Sequence, residues 1–537
     1  MVYIGLRVAE ANHNIVYWDE FDTALALVLR LKTGMTPVAF LQELFAVNNE
    51  HRMVTSRLIF AASYWLTGGL NFTVINLIGN ASLIALCTLL VLAAGTAARR
   101  LQLGVILAFG LFQLENYENF LWSGSSIDHF LVLLFVGGAL TGLAHDSRTA
   151  WLAGSLCALL ATLTLAHGLL VWPLGAAMLV ANARSRPLFA WCFLGALAVA
   201  GNAAGFSPNS AHRFAGLSAD GIADIVRYWL ILAGTVPAIG NRVLAPWFGA
   251  ALLFLLGWLG AHGAARRESV FFWLACFGAA ALALVAAGRA EQVGGVVQSR
   301  YLVLGTLSWS LTLFMLLGCI PNPRRPLRAL VACLPLLAAF NVFANRTFAA
   351  SADSWLECRD IATARFTQLG VDGRDAFSLY PAPERSTRLL NDAEHQGIYR
   401  LGTVCLPRSF PGAQPSSRIA YFVDEMTVSG RSAFVRGWAA IRGVTSQRGG
   451  LHVVLRSTSA TYVFTTVNAQ RPDVANALSE PRWLRSGFLF SRRRDRLPTG
   501  DYQLGFLIKD GTRSEYIMTD HRLVLENEGR AFLAGAP

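Results

Sequence analysis

Three carboxylates crowd four positions in Tyr17-Trp18-Asp19-Glu20-Phe21-Asp22, beside aromatic rings and ahead of the amphipathic run ALALVLRL. Burial or neighbouring charge can raise the proton affinity of one of them toward neutrality, the condition for a general base. The same residues also suit a solvated loop that caps the next helix, with Asp22 as a favourable charge near its start. A second cluster, Asn48-Asn49-Glu50-His51-Arg52, is followed by Arg57 and LIFAASYWLTGG. Guanidinium groups of Arg52 or Arg57 fit phosphate oxygens, with Glu50 and His51 orienting a sugar; a helix cap and a surface turn would use the same residue types. A third group comprises Gln113, Glu115, Asn116, Tyr117, Glu118, Asn119 and Trp122. Rings beside amides and carboxylates bind sugars by stacking and hydrogen bonding. An interfacial aromatic belt would account for the tyrosine and tryptophan, but not for the amides and carboxylates. The fourth is Gly288-Arg289-Ala290-Glu291 with Gln298-Ser299-Arg300-Tyr301. Two arginines flanking one short loop call for an anion, and a phosphate or pyrophosphate leaving group is the chemically sharpest choice; snorkelling to lipid head groups is the plainer one.

The chain that carries these clusters has 537 residues, 54% hydrophobic and only 15% charged. Soluble domains run at about 25% charged, and the deficit falls in the first two thirds, which predicts many bilayer spans. The net charge of +12 comes from 45 basic and 33 acidic residues. Lys32 and Lys509 are the sole lysines, a pattern of codon bias, and many arginines sit in short loops between apolar runs. There they act as topology signals, so nucleic acid is not the expected partner. The eight cysteines form no CxxC pair and no zinc spacing; Cys358 and Cys405, in the polar C-terminal part, suit a disulfide if that part is exported. No P-loop, Gly-rich phosphate motif or GxSxG elbow occurs, which argues against a nucleotide-driven pump.

Apolar runs fall near residues 72 to 95, 102 to 114, 127 to 145, 150 to 166, 168 to 182, 188 to 205, 246 to 263, 270 to 287, 301 to 319 and 327 to 345. The run at 102 to 114 is shorter than the about 17 residues usually required, and is counted because the charge pattern needs a crossing there. Arg99 and Arg100, Arg148, Arg184 and Arg186, Arg266 and Arg267, and Arg324, Arg325 and Arg328 mark one set of loops as cytoplasmic. The alternate loops carry Glu115, Glu118 and Asp128, His167-Gly168, 206 to 245 and 288 to 300, and are external. Parity requires that 221 to 240 not cross, and Asp224 and Arg227 favour an interfacial or re-entrant helix there. Ten spans result, which puts all four clusters on one face. The first 70 residues and everything after about 346 then lie outside, and Met1 to Arg7 is too short to be an export signal or a span, so a further transmembrane helix upstream of Met1 is expected.

Residues 347 to 417 carry helical patterns at Ser354 to Gln368 and Glu384 to Tyr399, ending in the linker SFPGAQPSS. From 418 onward the pattern alternates at period two in IAYFV, SAFVRGWAA, GLHVVLR, TYVFTTV, SGFLF, DYQLGFLI and SEYIM, which predicts an antiparallel β-sandwich over 418 to 537. The fold class is thus a polytopic α-helical membrane protein, residues 1 to 346 with an external acidic loop at 8 to 70, followed by an extramembrane β-sandwich.

With these residues in hand, the chain resembles the integral-membrane glycosyltransferases of the GT-C superfamily, which use polyprenyl-phosphate sugars on the external face. Asp19-Glu20 in YWDEFD is similar to that family's acidic pair in the first external loop. SRLIFAASYWLTGGLNFTVINLIGN resembles its interfacial helix, Gly turn and span, and NNEHR, ENYENFLW and the SRY before a late span resemble bacterial members. The similarity covers roughly residues 15 to 345. It implies an inverting transfer in which Asp19 or Glu20 deprotonates the acceptor and Arg52, Arg289 or Arg300 holds the lipid phosphate. Asp22, Glu50, His51, Glu115, Asn119, Trp122 and Tyr301 complete the expected substrate site. The partners implied are a polyprenyl-phosphate sugar, a glycan, glycolipid or protein acceptor, and the bilayer of a bacterial inner membrane, with the site and β-domain periplasmic. No cofactor is demanded, although loop carboxylates are able to bind a divalent cation. Some relatives, including arabinofuranosyltransferases, carry a β-sandwich after the membrane part, which implies an acceptor- or carbohydrate-binding module. Two other classes use the same composition: a transporter or flippase for lipid-linked sugars, disfavoured because the charges lie at span ends rather than at the midplane, and a non-catalytic polysaccharide assembly protein.

Overall fold

The computed structural model describes residues 1–48, 51–204, 219–289, 297–319, 325–369, 372, 378–402, 413–428, 432–443, 450–458, 461–493, 500–510, 513–525 and 533–534. Two compact units emerge: Met1–Asn12 with Asp22–Ala352, and His13–Phe21 with Asp353–Pro537.

The first unit is helical. Each apolar run of the sequence forms a helix, because unbroken hydrophobic stretches can satisfy their backbone internally only in that way. Five of these helices are long and apolar enough to cross a membrane: Phe72–Ala93, Ser123–Ala144, Ser269–Arg289, Ser299–Gly318 and Leu330–Asp353. A sixth is obtained if the bent pair Ala97–Leu111 and Leu114–Leu121 counts as one. Ten crossings are therefore not what helix length and composition give among the described residues. Ala166–Ala181, Pro187–Ala203 and Ala245–Ala261 are apolar but shorter, and Arg148–Thr162 has 15 residues, at about 1.5 Å per residue less than a hydrocarbon core of about 30 Å. Ala219–Gly234 packs against Ala245–Ala261 and Ser269–Arg289, with the Trp229 indole donating to the Ala279 carbonyl at 2.8 Å. Preceding the first long helix, Val54–Thr67 ends on Gly68 in the left-handed conformation, φ 76°, the Gly turn that the sequence pattern predicts.

Small residues let the helices approach. A methyl on Gly142 would stand 2.7 Å from the Gly154 Cα, and Gly234 and Gly249 meet the backbone of each other's helix in the same way. Two of the arginine-marked loops converge through Arg99 and Glu268, 2.5 Å apart.

One helix is broken inside the bundle. Ala97–Leu111 stops, and Leu114–Leu121 departs at 53°. A break in an apolar interior exposes backbone groups that have no water to bind. Asparagines from two long helices take them up. Asn341 Nδ2 donates to the carbonyls of Phe109 at 2.8 Å and Phe112 at 3.1 Å, and Asn345 Oδ1 accepts from the Leu114 amide at 2.9 Å. Past the break, Asn76 and Asn80 donate to the Phe120 carbonyl at 3.1 and 3.2 Å. Within each pair the second asparagine also donates to the first, four residues earlier.

Among the described residues, the second unit is built on ten strands: β1 (Ala413–Pro415), β2 (Ile419–Val428), β3 (Ser432–Ile441), β4 (Leu451–Arg456), β5 (Thr461–Thr465), β6 (Val467–Ala469), β7 (Gly487–Arg493), β8 (Gly500–Asp510), β9 (Arg513–Leu525) and β10 (Leu533–Ala534). One sheet runs β1-β9-β8-β4-β5 with β10 on β9, the other β2-β3-β7-β6. All seven predicted strands are present, and the pairing is antiparallel except for β1 with β9. Alternate residues such as Val435, Phe488 and Phe490 from one sheet and Val453, Leu455 and Phe506 from the other form the shared core. After a bulge between Val423 and Glu425 the inward parity of β2 shifts from Tyr421 and Val423 to Met426 and Val428. The expected linker is partly a strand, since β1 lies within SFPGAQPSS and pairs with β9. Helical patterning at 354 to 368 lies in the long helix Arg325–Leu369, and the next helix is Pro383–His395. Cys405 and the Cys358 side chain lie outside the described residues.

Two consequences are measurable. Asn345→Leu leaves the Leu114 amide bare in an apolar interior, a loss of about 1–3 kcal/mol, read as a lower unfolding temperature of the detergent-solubilised chain; an unchanged temperature would refute the capping role. In the sandwich, burial together with Lys509 pulls His452 from its usual 6.5 down to about 3. The folded state holds it neutral while the unfolded chain binds a proton, so its contribution is complete above pH about 6.5 and is lost as pH falls toward about 3. His452→Leu should flatten this dependence, seen as hydrogen exchange in β4 and β8, corrected for intrinsic rates, that rises less between pH 6.5 and 4 than in the wild type.

Candidate functional site

In the first unit, the break delivers Glu118 and Asn119 to the turn Ser299–Tyr301. One carboxylate oxygen of Glu118 accepts from the Ser299 hydroxyl and from the Arg300 amide, each at 3.0 Å. Its own amide donates to the Ser299 hydroxyl at 3.0 Å, and Asn119 Nδ2 donates to the Arg300 carbonyl at 2.9 Å. Ser125 in turn donates to Asn119 Oδ1 at 2.6 Å. Four hydrogen bonds between two segments 180 residues apart fix the backbone of Arg300 and thereby aim its side chain.

That side chain lies 5.7 Å from the Trp122 ring and 5.4 Å from Tyr301, while Arg289 lies 5.3 Å from the same Tyr301 ring. Two guanidinium groups thus share one aromatic platform, and Glu118 Oε1 lies 3.8 Å from Arg300. His129 stands 5.8 Å from Tyr301 and 6.4 Å from His167. The His51 ring accepts from the Ala166 amide at 3.2 Å, and the Ser56 hydroxyl donates to Asp128. Segments around 51, 113 to 129, 164 to 168 and 298 to 301 therefore meet at one end of the bundle.

Three polar side chains at the break have no hydrogen-bond partners among the described residues. Gln113, Glu115 and Asn116 are 0% exposed, and both terminal atoms of each lack a hydrogen bond. Native structures rarely bury such groups without a function.

Other predicted residues have structural duties. Arg52 donates to the Asn202 carbonyl and side chain, to Phe45 and to the carbonyl of Ala204. Arg57 donates to Leu44, Ala46 and Arg52 carbonyls at 3.3, 2.5 and 2.6 Å, and burial lowers its proton affinity while Glu43 raises it. Both clamp loop backbone, and phosphate binding by Arg52 would require giving up those bonds. Asp22 lies in the first turn of the π-helical segment Phe21–Leu25 and acts electrostatically on Arg57. Glu50 lies outside the described residues.

Asp19 and Glu20 belong to the second unit. Trp18 has φ 50°, and the Trp18 amide donates to the Leu379 carbonyl at 2.9 Å. Glu20 is 1% exposed and its Oε2 accepts from the Tyr17 amide at 2.7 Å, three residues back, the reciprocal half of a capping box. Asp19, on the turn itself, is half-buried.

The sequence reading passed over His129, His167 and the two asparagine pairs. Their signal is present: asparagines four residues apart in apolar runs, INLIGN and FNVFAN, lie on one helix face and imply a backbone partner. Comparison of the chain with known protein families, characterised proteins and solved structures returned no match.

Glu118→Ala removes acceptors for Ser299 and Arg300. Hydrogen exchange in a peptide spanning 298 to 302 should then accelerate about tenfold or more, with little change in helix Phe72–Ala93; uniform exchange across both would contradict a local clamp.

Proposed function

We propose that this chain is a multi-pass membrane glycosyltransferase that moves a sugar from a polyprenyl-phosphate donor to an acceptor with inversion. The observation that carries the reading is the pair Arg289 and Arg300 around Tyr301, with Trp122 alongside, at one end of an apolar helical bundle. A lipid-linked phosphate combines an apolar tail with an anionic head, and the surface offered combines apolar helices with two cations. Ten crossings are the topology of this reading, with the shorter helices completing the count, and they place the site on the periplasmic face of a bacterial inner membrane. The β-sandwich is then a periplasmic module for acceptor or carbohydrate.

The transfer balances as follows. A carboxylate takes the proton of the acceptor hydroxyl as its oxygen attacks the anomeric carbon. The bond from that carbon to the phosphate oxygen breaks, and the electron pair leaves on the polyprenyl phosphate. Arg289 and Arg300 offset the charge that develops there. Of the acidic pair, this reading takes Asp19 as the base and gives Glu20 the part of holding the turn through the Tyr17 amide.

The test is mass spectrometry of the polyprenyl-phosphate-monosaccharide pool in cells carrying each variant at equal membrane abundance. Asp19→Asn should accumulate one donor species, whereas Glu20→Gln, which keeps an oxygen for the Tyr17 amide, should leave the pool near wild type. Arg289→Ala with Arg300→Ala should lower transfer about a hundredfold or more. Wild-type turnover by the arginine double variant would refute the phosphate site, and an unchanged pool in Asp19→Asn plus Glu20→Gln would refute catalysis by the acidic pair.

A further inference from the structure

Within the helical unit, a cavity of about 180 Å³ opens between Ala97–Leu111, Leu302–Gly318 and Leu330–Asp353. Its wall is made by apolar residues such as Leu313, Leu337 and Phe340, and no charged residue lines it. Polar groups come from Thr306, Ser310, Thr312 and Gln113. The hydroxyls of Thr306 and Thr312 already donate to the carbonyls of Leu302 and Ser308 at 2.8 Å each, so they add acceptor capacity alone. Gln113 is different: its side chain is fully buried, and neither its amide nitrogen nor its oxygen has a hydrogen-bond partner among the described residues. An unpaired amide in such a place is costly, and a ligand able both to donate and to accept would remove that cost. Gly110 keeps the space open, because a methyl there would collide with the Ser310 hydroxyl.

We infer that this cavity binds the head end of an uncharged long-chain lipid bearing a hydroxyl group, with the hydroxyl on the Gln113 amide and the chain along Leu313, Leu337 and Phe340. The chemistry selects this class. An ionised head would be desolvated against a wall without counter-charge. A hydrocarbon without a head would leave Gln113 bare. Water alone needs two to four polar partners and meets these near Gln113 but not along the rest of the wall. The helix Leu330–Asp353 has 17% of its apolar window buried within the protein, so one wall of the cavity is a helix turned largely outward, the direction from which a bilayer lipid arrives. This inference does not depend on the glycosyltransferase reading.

The probe is a diazirine-bearing long-chain alcohol, photolysed with the full chain in nanodiscs. Saturable labelling is expected in peptides covering 106 to 113 and 306 to 316, displaced by oleyl alcohol or by dioleoylglycerol; whichever displaces at lower concentration identifies the source as a free alcohol or a glyceride. Oleate and dioleoylphosphatidic acid should displace at least tenfold less well. Gln113→Leu should weaken labelling about tenfold, the equivalent of one neutral hydrogen bond, and Leu313→Trp should abolish it by filling the space. Absence of saturable labelling there, or displacement by oleate as effective as by oleyl alcohol, overturns the inference. Both readouts use the wild-type chain and stand even where a variant fails to fold.

Discussion

A helix cannot break inside an apolar bundle unless something takes up the hydrogen bonds that it gives up, and the candidate site exists because this condition is met at Phe112-Gln113. The freed carbonyls and amide are bound by Asn341 and Asn345 on one side and the Phe120 carbonyl by Asn76 and Asn80 on the other. Each pair sits on a single face of a long helix, the second member bonded to the first, so the side chains are already ordered before they meet the break. Had Leu111 continued straight into a regular span, Glu118 and Asn119 would not reach the Ser299–Tyr301 turn.

From that constraint the rest follows in order. The turned segment holds the backbone of Arg300 by both its amide and its carbonyl, and the helix ending at Arg289 brings a second cation to the same ring. Two like charges so placed repel, and the Glu118 carboxylate, 3.8 Å from Arg300, offsets part of that repulsion.

The sequence made the elements legible because hydrophobic periodicity is local. Seven strands of the sandwich and a helix for every apolar run could be read from it. Ten crossings could not be confirmed in the same way, because Arg148–Thr162 and Ala245–Ala261 have a composition suited to lipid but a length below the span of a hydrocarbon core. The break at Gln113 was hidden for a different reason. The run at 102 to 114 reads as a short span, and only tertiary partners more than 200 residues away decide that the chain turns there. Glu118, Arg289, Arg300, Tyr301 and Trp122 were legible as residue types out of place beside apolar runs, whereas His129 and His167 were not, since a histidine in a helix has no pattern of its own.

The same argument separates the arginines, which sequence alone treats as equivalent. A guanidinium has five donors. Arg52 and Arg57 spend theirs on the carbonyls where loops end, at Phe45, Asn202, Leu44 and Ala46 among others. To take a phosphate they would have to abandon backbone oxygens that sit partly out of water, and the gain from the anion would be set against that loss. Arg289 and Arg300 instead lie over aromatic rings, at 5.3 to 5.7 Å from the ring centres. What separates the two pairs is therefore what each guanidinium touches, loop carbonyls in one case and aromatic rings in the other, and not charge, which all four share.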